Sequence, residues 1–187
     1  MKHSSVKQNI IETASHLFYT NGYNSTGINE IIAESGIAKA TLYNHFKSKE
    51  DICLAYLQFK NSTFTADLEA FIKSKRKGRN QVLAIFDFLQ LFFKDKDFNG
   101  CWCIKTVSEV PKENLRIKHE IQTQKNQFIN LISTLVSKNL DHVKGKESKS
   151  LARQIYLLYE GAVAESHLHQ ADWPIKEAKK LCSRIIS

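Results

Sequence analysis

The sequence predicts an all-α protein, an N-terminal three-helix domain with a helix-turn-helix followed by a larger helical domain. Three observations predict it. Apolar residues recur at three- and four-residue spacing along most of the chain, with no convincing alternating strand, repeat or low-complexity segment between them. Of the seven glycines, Gly22, Gly27, Gly36, Gly78, Gly100 and Gly145 fall where that pattern breaks, and only Gly161 lies inside it. The stretch from Thr26 to Lys49 reads as two short helices set at an angle about Gly36.

The elements follow in order. Val6, Ile10, Ala14, Leu17 and Phe18 form the stripe of a first helix. Ile28, Ile31 and Ile32 do so in a second, Leu42 and Phe46 in a third, so that the short pair shares one small core. Gly36 between them takes the positive φ that ends one helix and releases the next. Away from Leu42 and Phe46, the residues Lys39, Ala40, Thr41, Tyr43, Asn44 and His45 leave a polar, aromatic and cationic surface suited to a DNA major groove. Ser48 caps a fourth helix, whose Ile52, Ala55, Tyr56 and Phe59 pack back on the first three. Next come an apolar helix from about Val82 to Phe93, a short one around Cys101 to Val110, and one from Pro111 toward Leu140, proline being suited to a helix start. Leu151 to His169 is apolar on nearly every face and is expected to be buried all round, partly by a second subunit. Asp172-Trp173-Pro174 opens a last helix striped with Ile175, Ala178, Leu181, Cys182 and Ile185.

Composition narrows the function classes. A chain of 187 residues, 42% hydrophobic, is long enough for a small reader plus a larger partner domain. A net charge of +8 favours polyanionic partners. The charge is not concentrated in the reader, since residues 1–60 hold six Lys or Arg against five Asp or Glu. The densest cluster is Lys73, Lys75, Arg76, Lys77 and Arg79, which reads first as a solvated loop between helices and second as a reach to flanking phosphates. No signal-like start and no stretch of about 18 apolar residues is present, so a cytoplasmic protein with no membrane partner is expected. Cysteines 53, 101, 103 and 182 form no C-x-x-C pair and read as reduced thiols. Residues two apart on a helix point to different sides, so neither Cys101 with Cys103 nor His167 with His169 suggests a metal site. No cofactor or enzyme motif occurs.

The run Gly36-Ile37-Ala38-Lys39-Ala40-Thr41-Leu42-Tyr43-Asn44-His45-Phe46-Lys47-Ser48-Lys49 closely resembles the recognition segment of TetR-type transcriptional regulators, G-V-S-K-G/A-T-L-Y-x-H-F-x-x-K. The resemblance extends upstream through Ala14, Leu17, Phe18, Gly22, Tyr23 and Thr26. It departs mildly at Ala38, where a hydroxyl cap is usual, and at Gly27, a helix cap. A lost hydroxyl cap costs about 1 kcal/mol and a glycine cap a few tenths, so neither threatens the fold. The resemblance implies a DNA-binding domain at 1–47 and an effector-binding and dimerisation domain at 48–187. It also implies base contacts from Lys39, Ala40 and Asn44, phosphate contacts from Thr26, Thr41, Tyr43, His45 and Lys49, and Asn29 within the same DNA-binding set. The partners implied are a palindromic double-stranded DNA operator, a second copy of the chain and a small-molecule effector.

For the homodimer, Leu158, Gly161, Ala162, Leu181 and Ile185 are the interface candidates, the small residues allowing close approach. For an apolar or aromatic effector the candidates are Phe92, Cys101, Trp102, Phe128, Tyr156 and Tyr159, with Glu109 and Glu160 as polar anchors. Asn99-Gly100-Cys101-Trp102-Cys103 is similar to the start of a short helix in family members that sense electrophiles or oxidants, with Lys105 as the cation that favours a Cys101 thiolate. A ligand-free architectural DNA-binding protein and a helical enzyme are the readings outside regulation.

Overall fold

The computed structural model describes residues 2–187, with side chains from Ser5 onward. Among these residues there are nine helices and no strand. They are α1 (Lys2–Asn21), α2 (Ile28–Ser35), α3 (Lys39–His45), α4 (Lys49–Lys73), α5 (Arg79–Phe93), α6 (Trp102–Glu109), α7 (Leu115–Asn139), α8 (Gly145–His169) and α9 (Trp173–Ile185). They divide into two compact units. The first is residues 1–63 with 102–122, the second residues 64–101 with 123–187. Compactness therefore puts the boundary within α4 and α7, each of which supplies residues to both units. The expected division at 47/48 is one of role rather than of compactness.

In the first unit, Ile10, Ala14 and Phe18 of α1, Ile31 of α2, Leu42 of α3 and Ile52, Tyr56 and Leu57 of α4 are all buried. Gly36 ends α2 with φ +65°, and Ile37 N–H reaches the Ile32 carbonyl at 3.3 Å, closing the turn. Asn9 locks it from outside, donating to the Ser35 carbonyl at 2.8 Å. At the start of α2, Gly27 offers no cap hydroxyl, and the reciprocal half of a capping box forms alone, the Glu30 carboxylate accepting the Gly27 N–H at 3.2 Å. Ser48 caps α4, accepting from Asp51 N–H at 3.1 Å.

Two boundaries differ from expectation. Helix α7 begins at Leu115, and Pro111 lies in the turn ahead of it. Asn114 is the cap instead, accepting from Ile117 N–H at 3.1 Å. Helix α8 begins six residues before Leu151, since its first turns are polar and escape an apolar count.

The second unit packs Leu68 and Ile72 of α4, Val82, Ile85, Phe86 and Leu89 of α5, Ile132 and Val136 of α7, Ile155, Tyr159 and Val163 of α8, and Ile175 and Cys182 of α9. Within the single chain, helix α8 is buried on one face and open on another. Leu157 and Leu168 are 68% and 71% exposed, while Ala162 is 3% exposed and belongs to the chain's own core.

Gly36 supplies the first prediction. Its left-handed backbone resists a Cβ even though nothing lies within 4 Å of one, so Gly36→Ala should cost about 1–2 kcal/mol in urea unfolding. Gly36→Asn should lose clearly less, because asparagine tolerates this region. Equal losses would mean that backbone angle does not limit the position.

Candidate functional site

Helix α3 is seven residues long, with Ala38 at its start and no side-chain cap. What holds it is apolar burial. Leu42 has no exposed surface and Phe46 is 5% exposed, and both face inward. At about 100° per residue, Lys39, Ala40, Tyr43 and Asn44 then share the opposite arc, and all four are exposed. Thr41 and His45 flank it, half-buried. Exposed Asn29 stands on the first turn of α2. Lys49 is half-buried, its ammonium 4.4 Å above the Tyr23 ring, and burial lowers its pKa. Thr26 is placed differently from its neighbours in the motif. It is fully buried, and its hydroxyl donates to the Gly22 carbonyl at 2.8 Å, so it braces the turn into α2 from beneath.

Of the effector candidates, Phe92, Phe128, Tyr156 and Tyr159 come together in the second unit through a network of rings. Phe128 lies 5.0 Å from Tyr159 and 6.2 Å from Tyr156. Phe64 of α4, which sequence reasoning passed over, joins them, 5.9 Å from Phe128 and 6.4 Å from Phe92. Cys101 belongs to this unit as well. Its thiol accepts from the Lys125 ammonium at 3.2 Å, and that ammonium also pairs with Glu160 at 2.6 Å. Trp102, by contrast, falls in the first unit, with the Lys60 ammonium 5.8 Å from its ring.

The family model described as bacterial regulatory proteins of the tetR family matches residues 10–56, from α1 into α4. The fatty acid metabolism regulator protein of Bacillus subtilis is 27% identical over 149 residues, covering 78% of this chain and 75% of that protein. The negative regulator IcaR of the biofilm operon icaADBC in Staphylococcus aureus is 27% identical over 154 residues, covering 82% and 80%. The crystal structure of a TetR-family transcriptional regulator from Streptomyces coelicolor superposes with a TM-score of 0.87 at 25% identity, over 98% of this chain and 97% of that one. This chain belongs to the TetR family.

It is accordingly a DNA-binding transcriptional regulator, and within this TetR-family chain three sequence expectations are corrected. Lys105 is not the cation beside Cys101. Its ammonium donates to the carbonyls of Tyr19 at 2.8 Å and Thr20 at 3.2 Å, at the end of α1. Lys125 occupies the place assigned to it, and nothing in sequence spacing pairs residues 24 apart on different elements. Glu109 is not an effector anchor. Its carboxylate accepts the Asn24 N–H at 2.8 Å, its carbonyl accepts the Asn24 amide at 2.8 Å, and its oxygens fill the space against Gly22. Ala162 is not an interface residue, because its own chain covers it.

The remaining interface candidates stay accessible. Leu181 and Ile185 are 45% and 40% exposed, Gly161 is exposed and Leu158 is half-buried. Leu157, Leu168 and Trp173, which sequence reasoning left out, belong to the same exposed apolar set on α8 and α9. Their signal was available in the spacing of 157, 161, 164 and 168, which is one helical face. Among the described residues no cluster of His, Cys, Asp or Glu has the makings of a metal site, and no helix is long and apolar enough to cross a membrane.

Proposed function

We propose that this chain is a repressor that binds a palindromic double-stranded operator as a homodimer and leaves it when a small apolar or aromatic molecule enters the ring network of the second unit. By role, residues 1–47 read DNA and residues 48–187 bind the effector and dimerise. The observation that carries the reading is the exposed arc of α3. Lys39, Ala40 and Asn44 face base edges, where lysine donates to guanine, alanine meets a thymine methyl and asparagine pairs with adenine. Thr41, Tyr43, His45, Lys49 and Asn29 hold phosphates and fix register. Thr26 serves them by bracing α2.

Release follows from two helices that start at the reader and end in the effector unit. The first turns of α4 and α7 are tied together by Arg116, which pairs with Glu50 and, at 3.0 Å, with Asp51. Farther along the same helices, the rings of Phe64 and Phe128 meet. A molecule that parts those rings strains both helices. Two recognition helices must enter successive grooves about 34–36 Å apart, so a ligand that prefers another spacing lowers operator affinity by its own preference between the two arrangements.

A second reading has its own observation. The half-buried Cys101 thiol touches a Lys125 ammonium, and a cation stabilises the thiolate, which then adds to an electrophilic carbon. At Cys53 and Cys182 burial outweighs the nearby Lys49 and Arg79 charges and pushes both thiols up to about 12.

The reader is tested by binding-site selection. Lys39→Ala and Asn44→Ala should each relax the bases tolerated at particular operator positions, at about 1–3 kcal/mol per lost contact. An unchanged consensus in both variants would remove the base-reading role.

The dimer is tested at Leu157, which is exposed in the single chain. Leu157→Asp should halve the mass seen by light scattering and weaken operator binding, because a carboxylate buried between apolar helices has no partner. A variant that keeps the wild-type mass would move the interface off this face.

Cys101→Ser separates the two forms of induction. It should abolish release by an electrophile such as N-ethylmaleimide and leave release by an apolar ligand intact. If N-ethylmaleimide leaves the wild type on its operator, the thiol has no sensing role. If no apolar compound binds either, the ligand-free architectural reading takes precedence.

A further inference from the structure

The basic run at Lys73, Lys75, Arg76, Lys77 and Arg79 has no part in the function above, and its members are not equivalent. Lys73 pairs with Glu69 at 3.3 Å, Lys75 lies 4.0 Å from the centre of the Phe71 ring, and Arg79 donates to the hydroxyl of Ser183 at 2.7 Å. Lys77 does none of these things. It lines a half-open groove of about 600 Å³ between the end of α4, the start of α5 and the last turns of α7.

The groove has a floor and a rim of different chemistry. Ile72, Leu131 and Leu135 make an aliphatic floor, and Lys73, Lys77 and Lys138 stand on the rim with Thr134 and Glu69. Three ammonium groups face one carboxylate, and that carboxylate is already paired with Lys73. Lys77 and Lys138 are exposed, and among the described residues neither has an acidic partner. The wall is fixed by Asn139. Its carbonyl oxygen accepts the Gly78 N–H at 2.7 Å while its amide donates to the Leu135 carbonyl at 2.9 Å, so the turn between α4 and α5 is clasped to α7.

We propose that this groove binds an anionic amphiphile, its aliphatic body on Ile72, Leu131 and Leu135 and its carboxylate or phosphate head on Lys77 and Lys138. The volume suits a small molecule, for which sites of about 300–1,000 Å³ are usual. The charge selects the head, because an anion gains two ammonium groups that have no other partner, whereas a cation is repelled by them. The site is separate from the ring network, whose walls are aromatic.

The test is calorimetric titration of the full chain with decanoate, decanol and decylammonium, all below their aggregation concentrations. Decanoate should bind about tenfold more tightly than decanol, and decylammonium most weakly. The double variant Lys77→Glu/Lys138→Glu should lose that tenfold for decanoate and keep the affinity for decanol. Thr134→Trp should weaken all three by filling the groove. The three substituted side chains are exposed, so the fold survives the changes, and the charge reversal stands alone as a readout should Thr134→Trp disturb packing. Equal affinity for decanoate and decanol, or an unaltered decanoate affinity after charge reversal, overturns the proposal. So does decanoate binding that survives Thr134→Trp and is lost in a variant of the half-buried Tyr156, Tyr156→Trp, which would place the molecule among the rings.

Discussion

Leu42 lies beneath α3 with none of its surface exposed, and the reader depends on that burial. A helix of seven residues does not hold itself in water, and this one has no hydroxyl cap to help it. Burying one leucine side chain is worth about 1.5–3 kcal/mol, more than the cap of about 1 kcal/mol that Ala38 forgoes. Packing therefore wins over local propensity. The anchor is on one arc and the polar residues on the other, so Lys39, Ala40, Tyr43 and Asn44 are not part of that apolar anchor. Their chemistry is free to serve a ligand.

The second unit solves a different problem, that of joining long helices through both polar and aromatic contacts. Its polar joints are made firmly. Ser148, 1% exposed, donates to the Ser133 carbonyl at 2.9 Å and meets the Ser137 hydroxyl at 2.6 Å, joining α7 to α8. A buried hydroxyl so satisfied adds no desolvation penalty and fixes the relative register of the two helices. The ring network has edge-on contacts instead, as between Phe64, Phe88 and Phe128, which have no donor and acceptor to match.

What was legible in the sequence was what is local. Gly36, Ser48 and the Leu42–Phe46 pair act within one or two turns of their own positions, and the nine helices follow from spacing and glycine breaks. Boundaries set by polar residues were less legible. Asn114 outcompetes the more conspicuous Pro111, and the first turns of α8 carry no apolar stripe. Partnerships across distance were not legible at all. Lys105 and Glu109 find partners 85 or more residues earlier, and their placement commits both side chains to the turn between α1 and α2. Ala162 shows the same limit in reverse. A stripe of small and apolar residues on α8 marks both a face turned to its own core and a face left open, and spacing alone does not say which residue falls on which.

The first unit is discontinuous in the chain, and this bears on the order in which the protein is made. Residues 1–63 leave the ribosome ahead of the α6 segment whose Lys105 and Glu109 hold the carbonyls at the end of α1 and the backbone of Asn24. Until about 40 further residues have been added, the turn between α1 and α2 lacks its outer support. At synthesis rates of about 5–20 residues per second, that interval lasts a few seconds. The apolar core around Leu42 is thus complete in the chain before the polar contacts that clasp the α1–α2 turn can form. By then the first part of the second unit, residues 64–101, has also been made.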